Sequence, residues 1–240
     1  MENSAAMGGA MAFCDGVMQS NLIVSNAADN QAGGLARCDG SIVNNTIYGN
    51  SAGLNGGGIY NCMGTIANCI FWANEAVSSG DQIDASSIPS FSCIQDWTEG
   101  GAGNMTSPPA FRDAPRGDYR LDPGSPCVDA GDNMSLGSLG LDLDGNLRIA
   151  FGGKSLTVDM GGYEHNAAPF VLTALSIVNG ESLVLTWNSQ PLARYMVWLC
   201  DDLSSGEWVR ARKAPISSQG ESTSFTLSVP TTVQFFRVEM

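Results

Sequence analysis

Apolar residues in the first hundred positions come in runs of two or three, among them Ile23-Val24, Ile47-Tyr48 and Ile70-Phe71-Trp72, bounded by Gly, Asn and Ser. Short β-branched and aromatic runs between turn residues predict strands. Helix is disfavoured, because glycine and asparagine, both poor helix formers, recur throughout the segment. The runs repeat with a period of 24 residues: Gly9, Gly33 and Gly57, Cys14, Cys38 and Cys62, Gly16, Gly40 and Gly64, Ile23, Ile47 and Phe71, Asn26, Asn50 and Asn74, and Ala28, Ala52 and Ala76 keep one register. A fixed period of this length marks a solenoid. The units are poor in Leu, which sets aside a leucine-rich repeat, and at about 3.3 Å per residue one unit accommodates three short strands and three corners. The predicted fold is all-β: a right-handed parallel β-helix with about 24 residues per coil.

Stacked coils place equivalent residues about 4.8 Å apart. Asn26, Asn50 and Asn74 are then a corner ladder, the glycines supply corners of positive φ, and Ile23, Ile47 and Phe71 fill the interior. Strand alternation turns Val24, Tyr48 and Trp72 outward, making Tyr48 and Trp72 an adjacent exposed pair unless a loop or the C-terminal module covers them. Cys14, Cys38 and Cys62 read as small buried hydrophobes, and Cys69 with Cys93, also 24 apart, as a second such column. Seven cysteines at this spacing are not a disulfide framework.

Periodicity fades after Trp97. Residues 1–97 form the coils, 98–165 an irregular stretch whose later part closes the end of the helix, and 166–240 a small antiparallel β-sandwich, since SLVLTWN, YMVWLCDD, EWVRARK, STSFTLSV and TVQFFRVEM alternate between short turns. The first coil begins in mid-repeat, which predicts further coils N-terminal to it.

The pairing of GGAM, GGLA and GGIY with IVSN, IYGN and FWAN resembles the GG[ALIV] and FxxN repeats of chlamydial polymorphic membrane proteins. SFSCIQDWTEGGAGNMTSPPAF, GDYRLDPGSPCVDAGDN, DLDGNLRI and VDMGGYE resemble the tail of secreted bacterial choice-of-anchor Q β-helix proteins, and the last domain resembles the fibronectin-like or immunoglobulin-like modules of secreted bacterial enzymes. The resemblance implies a bacterial protein, secreted or at the cell surface, with a polysaccharide as partner. It carries no single activity, since such helices host lyases, hydrolases, epimerases and adhesins.

Composition narrows the choice. A formal charge of −13 argues against nucleic acid and anionic membrane surfaces, and no apolar run reaches the roughly 20 residues of a membrane span. Asp15 and Asp39 occupy equivalent CDG turns; stacked, they approach the roughly 5 Å carboxylate separation of a retaining glycosidase, and Arg37, the one basic residue of the first 111 positions, stands beside them. Asp-Gly is equally a favoured turn dipeptide. Tyr48 and Trp72 are the candidate platform for a sugar ring. Asp142, Asp144 and Asn146, in DLDGN, have the alternating oxygens and turn glycine of a calcium loop without the distal Glu of an EF-hand; turn-capping Asp side chains with Arg148 paired to one of them explain the same residues. A polyuronate lyase needs cationic side chains, and the coils offer Arg37 alone against Asp15, Asp29, Asp39, Glu75, Asp81, Asp84 and Asp96. The expectation is a glycoside hydrolase using Asp15 and Asp39 with Arg37; the alternative is a non-catalytic surface or glycan-binding scaffold, and a lyase is the least favoured.

Overall fold

A computed structural model describes residues 3–137, 140–150, 152, 155–165, 172–189, 194–202, 204–205, 207–219, 222–228 and 235–239. The chain forms two compact units, Met1–Ala167 and Ala168–Met240.

The first unit is a parallel β-solenoid of about four coils. The first coil holds β1 (Ser4–Met7), β2 (Met11–Ala12), β3 (Met18–Gln19) and β4 (Leu22–Val24). The second holds β5 (Ala27–Gln31), β6 (Leu35–Ala36), β7 (Ile42–Val43) and β8 (Thr46–Tyr48); the third β9 (Ser51–Ala52), β10 (Ile59–Tyr60), β11 (Ile66–Ala67) and β12 (Ile70–Trp72); the fourth β13 (Glu75–Ala76), β14 (Ile83–Asp84) and β15 (Cys93–Ile94). Equivalent strands stack into four parallel sheets, β1-β5-β9-β13, β2-β6-β10-β14, β3-β7-β11 and β4-β8-β12-β15. Each coil is thus four-sided, not the three-sided coil expected from strand length. The reason lies in the corners. Four columns of residues sit in the left-handed region: Gly8, Ala32, Gly56 and Gly80; Phe13, Arg37, Asn61 and Ala85; Ser20, Asn44 and Asn68; Ser25, Gly49 and Ala73. Phe13, Ala32, Arg37, Ala73 and Ala85 carry no turn signal in sequence, so the corners they occupy were not countable from it.

The periodic glycines do a different job. A Cβ on Gly33 would lie 2.4 Å from the Ser51 amide nitrogen and 2.6 Å from the Gly57 carbonyl oxygen, and one on Gly40 would lie 2.0 Å from the Gly16 carbonyl oxygen. These positions are glycine because neighbouring coils touch there, not because φ is positive.

The interior is a column core of Ile23, Ile47, Phe71 and Ile94 facing Leu35, Ile59 and Ile83 and Met18, Ile42 and Ile66. At three of the four corners the side chain after the left-handed residue bonds the carbonyl of the residue before it; at the fourth, after Gly8, Ala32 and Gly56, that position is a glycine. Asn50 Nδ2 donates to the Tyr48 and Ile23 carbonyls and to Asn74 Oδ1 at 2.9 Å, while Asn50 Oδ1 accepts from Asn26. Asn21 and Asn45 form a second ladder. Cysteines copy the pattern with a single donor: Cys62 Sγ lies within reach of the Tyr60 and Leu35 carbonyls, between which it shares its one hydrogen, and accepts the Cys38 amide, and Cys69 Sγ takes the same role below Asn45. The cysteine columns are therefore ladder members as well as core. Cys69 and Cys93 do not share one. The fourth coil is a residue shorter, so Cys93 pairs with Ile70 and Ser92 Oγ receives the Cys69 amide.

Residues 98–165 differ from the expected end cap. The 102–107 stretch adds part of a turn beneath the fourth coil through the Cys93–Met105 bridge, but the chain then folds back along the outside of the solenoid. β16 (Phe111–Asp113) and β17 (Asp118–Leu121) form a hairpin, and Leu121, Cys127, Val128 and Met160 pack with Ile70 and Cys93, which point outward from the coils. Asn68 exchanges two hydrogen bonds with the Asp132 backbone, Asn44 donates to the Asp159 carbonyl and Thr46 Oγ1 accepts the Gly162 amide. Within this unit and among the described residues, these contacts clasp the sheets of β3 and β4.

The second unit contains β18 (Leu172–Val178), β19 (Ser182–Asn188), β20 (Arg194–Cys200), β21 (Val209–Arg210), β22 (Ile216–Ser217), β23 (Ser222–Ser228) and β24 (Phe235–Glu239). One antiparallel sheet is β18-β19-β23; in the other β20 pairs with β21, β22 and β24. Leu185 and Trp187 of the first pack with Tyr195, Val197 and Ile216 of the second, which makes a small β-sandwich whose Trp187 is core.

Candidate functional site

Asp15 and Asp39 stack as the repeat requires and are exposed. Their chemistry is that of a ladder: Asp15 Oδ1 accepts the Asp39 amide at 3.2 Å and Asp39 Oδ1 accepts the Met63 amide at 2.9 Å. Each carboxylate thus caps an amide of the next coil, the bond a turn aspartate supplies. Arg37 stacks over the Phe13 ring, 5.7 Å from its centroid. Phe13 is 64% exposed and has φ of 58°, an uncommon backbone choice for a bulky residue; sequence reasoning passed it over because it lies one residue before the cysteine column.

Tyr48 and Trp72 pair in register as outward neighbours, but they do not form an open platform. Their sheet is one of the clasped faces. Tyr48 packs against Tyr119 and Phe111 with centroids 5.1 and 5.9 Å away, and Trp72 lies half-buried against the cluster that holds Cys127 and Met160. The covering loop explains both aromatics as packing.

The DLDGN run is likewise occupied from within. Asp142 Oδ1 accepts the amides of Asp144 and Asn146, and its Oδ2 accepts Asn146 Nδ2 and the Glu164 amide. Asp144 binds Arg120 through two contacts of 2.7 Å. Positive hydrogens surround the oxygens that a cation would need, and among the described residues no group of three or more His, Cys, Asp or Glu side chains is placed to hold a metal ion. Asp142 caps the turn, Asp144 pairs with Arg120, and Asn146 donates its side-chain amide to Asp142.

Behind them lies a buried charge cluster. Arg148 is buried, with Nε 3.6 Å from Glu164 Oε2 and Nη2 donating to the Asp159 and Gly161 carbonyls. Asp159 accepts the Asp129 and His165 amides, and Glu164 accepts the Asp159 amide. Burial pushes the Asp159 carboxyl up to about 7 and, together with Asp159 itself, the Glu164 carboxyl up to about 10. Both values exceed the unfolded ones, so the folded state holds protons that the unfolded chain releases. Their stabilising contribution is complete below about pH 4 and is lost as pH rises, for Asp159 through about 7 and for Glu164 through about 10. Guanidinium unfolding at pH 5 and pH 8 is expected to show the solenoid unit less stable at pH 8, with a shallower pH slope in Asp159→Asn; an unchanged slope in that variant contradicts the titration of Asp159.

One concave site opens to solvent on the solenoid unit where sequence reasoning placed nothing. A cleft of about 170 Å³ lies between Asp81 and Gln82 on one side and Gln95, Asp96, Trp97 and Glu99 on the other. Asp96 and Glu99 are exposed, Trp97 is half-buried against the core cluster, and its Nε1 donates to the Gly100 carbonyl at 2.7 Å. The sequence signal was the change of column: Gly57 is followed 24 residues later by Asp81, and Gly58 by Gln82.

No protein-family model matches the chain, and no curated protein or solved structure matches it either. The class that fold and site define is a parallel β-solenoid clasped by its own tail and followed by a β-sandwich. Among the described residues no helix is long and apolar enough to cross a membrane.

Proposed function

We propose that this protein is an extracellular or cell-surface scaffold whose β-solenoid holds carbohydrate without cleaving it. The observation that carries the non-catalytic part is the use of Asp15 and Asp39. Paired carboxylates that act as acid and nucleophile face a substrate across a gap, whereas these two hold amides of the adjacent coil. Support for carbohydrate comes from the repeat and tail motifs and from an indole set among carboxylates at the solenoid's end.

A hydrolase remains the second reading, and one observation favours it: Asp81, Asp96 and Glu99 stand in one cleft beside Trp97. On that reading catalysis moves from Asp15 and Asp39 to the cleft.

Asp15→Asn and Asp39→Asn separate the two roles of the stacked pair. Asparagine still accepts an amide through Oδ1, as Asn50 does from Asn26, so both variants are expected to melt within about a degree or two of the parent, as surface changes within about 0.5 kcal/mol do, and to retain polysaccharide equally in affinity electrophoresis. Reducing ends released by the parent and lost in either variant contradict the scaffold reading.

A further inference from the structure

We infer that the cleft beneath the last coil is a subsite for one pyranose ring of a neutral glycan, with Trp97 as the stacking surface and Asp96 and Glu99 as hydroxyl acceptors. The inference rests on the carbohydrate reading above and gives it a place.

The cleft exists because the stack stops unevenly. Gly9, Gly33 and Gly57 occupy a corner where the backbone of the next coil leaves no room for a Cβ. Asp81 follows in that column and Gln82 follows Gly34 and Gly58, so side chains appear at the step where no further coil lies beneath; β13 and β14 are the last strands of their sheets. On the opposite side the stack continues through the Cys93–Met105 bridge. Among the described residues the stack therefore continues below β15, and no strand pairs below β14.

Trp97 lines the cleft for a reason that register makes plain. Phe71 pairs with Ile94, an offset of 23, and Ala73 and Asp96 are both left-handed, with φ of 55° and 54°. The same offset puts Trp97 in the column of Asn26, Asn50 and Asn74. The ladder does not need it, since Asn74 Nδ2 donates to Gln82 Oε1 at 2.8 Å and Gln82 Nε2 returns a bond to the Asn74 backbone carbonyl. An indole thus replaces the ladder asparagine, anchored by Nε1 to Gly100 and by its contact with the core, and it borders open space.

A sugar ring has an apolar C–H face and a rim of hydroxyls. The indole offers the matching surface, and carboxylates make the stronger, charge-assisted hydrogen bonds to the rim. Asp81 Oδ1 is held by the Ala76 amide, and Gln95 Oε1 by the Ala73 amide at 2.8 Å, which fixes both side chains before a ligand arrives. About 170 Å³ is well below the roughly 300–1,000 Å³ of a drug-sized pocket and suits one ring, the end or an exposed branch of a chain. Asp81, Asp96 and Glu99 repel a uronate, so the ring is uncharged.

The test titrates the full chain with cello-, manno- and xylo-oligosaccharides and with trigalacturonate, following saturation transfer by NMR. Trp97→Ala removes part of the core contact, so Trp97→Phe, Asp96→Asn and Glu99→Gln, each checked for parental circular dichroism, carry the result. The expectation is binding of at least one neutral oligosaccharide, no binding of trigalacturonate, and affinity at least roughly tenfold weaker in Glu99→Gln and Asp96→Asn. Parental affinity in all three variants overturns the cleft while leaving the carbohydrate reading in place. Preference for trigalacturonate overturns the neutral-ring assignment, and no binding by the parent overturns both the cleft and the reading on which it rests.

Discussion

Replacing Gly33 by alanine is expected to prevent the coils from stacking. The new Cβ meets three backbone atoms, the Ser51 nitrogen at 2.4 Å, the Ser51 oxygen at 2.5 Å and the Gly57 oxygen at 2.6 Å, and none of them belongs to a side chain that can rotate away. Relief requires the second and third coils to separate, which breaks the parallel ladder on both sides of the corner and exposes the column of Leu35 and Ile59. A loss above about 4 kcal/mol, in the range reserved for a few severe mechanisms, follows for the solenoid unit. Gly16→Ala is the matched control: it belongs to another periodic glycine column, yet nothing lies within 4 Å of its Cβ position, so it is expected to be silent. Circular dichroism and denaturant unfolding of the two variants check the pair, and a stable Gly33→Ala protein contradicts the described stacking.

The second large effect is expected from Arg148→Ala. Arg148 is the buried cation among Asp142, Asp159 and Glu164, and its Nη2 is the donor to two carbonyls of the returning tail. Its loss leaves the buried Gly161 carbonyl without its donor and the Asp159 carbonyl with Asn44 alone, at a cost of about 1–3 kcal/mol for each buried group left unsatisfied. The loss falls on the clasp. Amides that bind tail to coil, Gly162 to Thr46 and Asp132 to Asn68, are expected to exchange with solvent faster than those of the inner ladder, Asn26 to Asn50. Uniform acceleration across both sets instead places Arg148 in the global stability of the unit, and a destabilisation below about 1 kcal/mol contradicts the role assigned to it.

The stacking of the coils and the path of the tail were unequally legible in the sequence. The period was plain because Cys14, Cys38 and Cys62, Asn26, Asn50 and Asn74, and the glycine columns are chemically uniform. The number of sides was not, because the fourth corner is built by Ser20, Asn44 and Asn68 followed by Asn21, Asn45 and Cys69, a mixed column joined by a shared hydrogen-bond pattern, not by identity. The spacing of Cys69 and Cys93 misled for the opposite reason: equal separation survived while one residue had been lost from the coil between them.

The site followed the same logic. Strand alternation correctly turned Tyr48 and Trp72 outward, yet outward is exposed only if nothing returns to cover the face, and the cover consists of Phe111, Tyr119 and Met160, distant in sequence. The turn identity of DLDGN was readable from Asp142 and Gly145, whereas the pairing of Asp144 with Arg120 and of Arg148 with Glu164 depends on the tail's path. Trp97 went unnoticed because its place in the asparagine column appears only once the shortened fourth coil is known.

The most direct test of a glycan-holding, non-cleaving scaffold is a paired assay of the purified full chain on a panel of neutral and acidic polysaccharides, reading retention together with new reducing ends and the absorbance of unsaturated uronates. Retention on a neutral polysaccharide with neither product signal is the predicted result. Reducing ends released from any member of the panel, or absence of retention throughout, contradicts it.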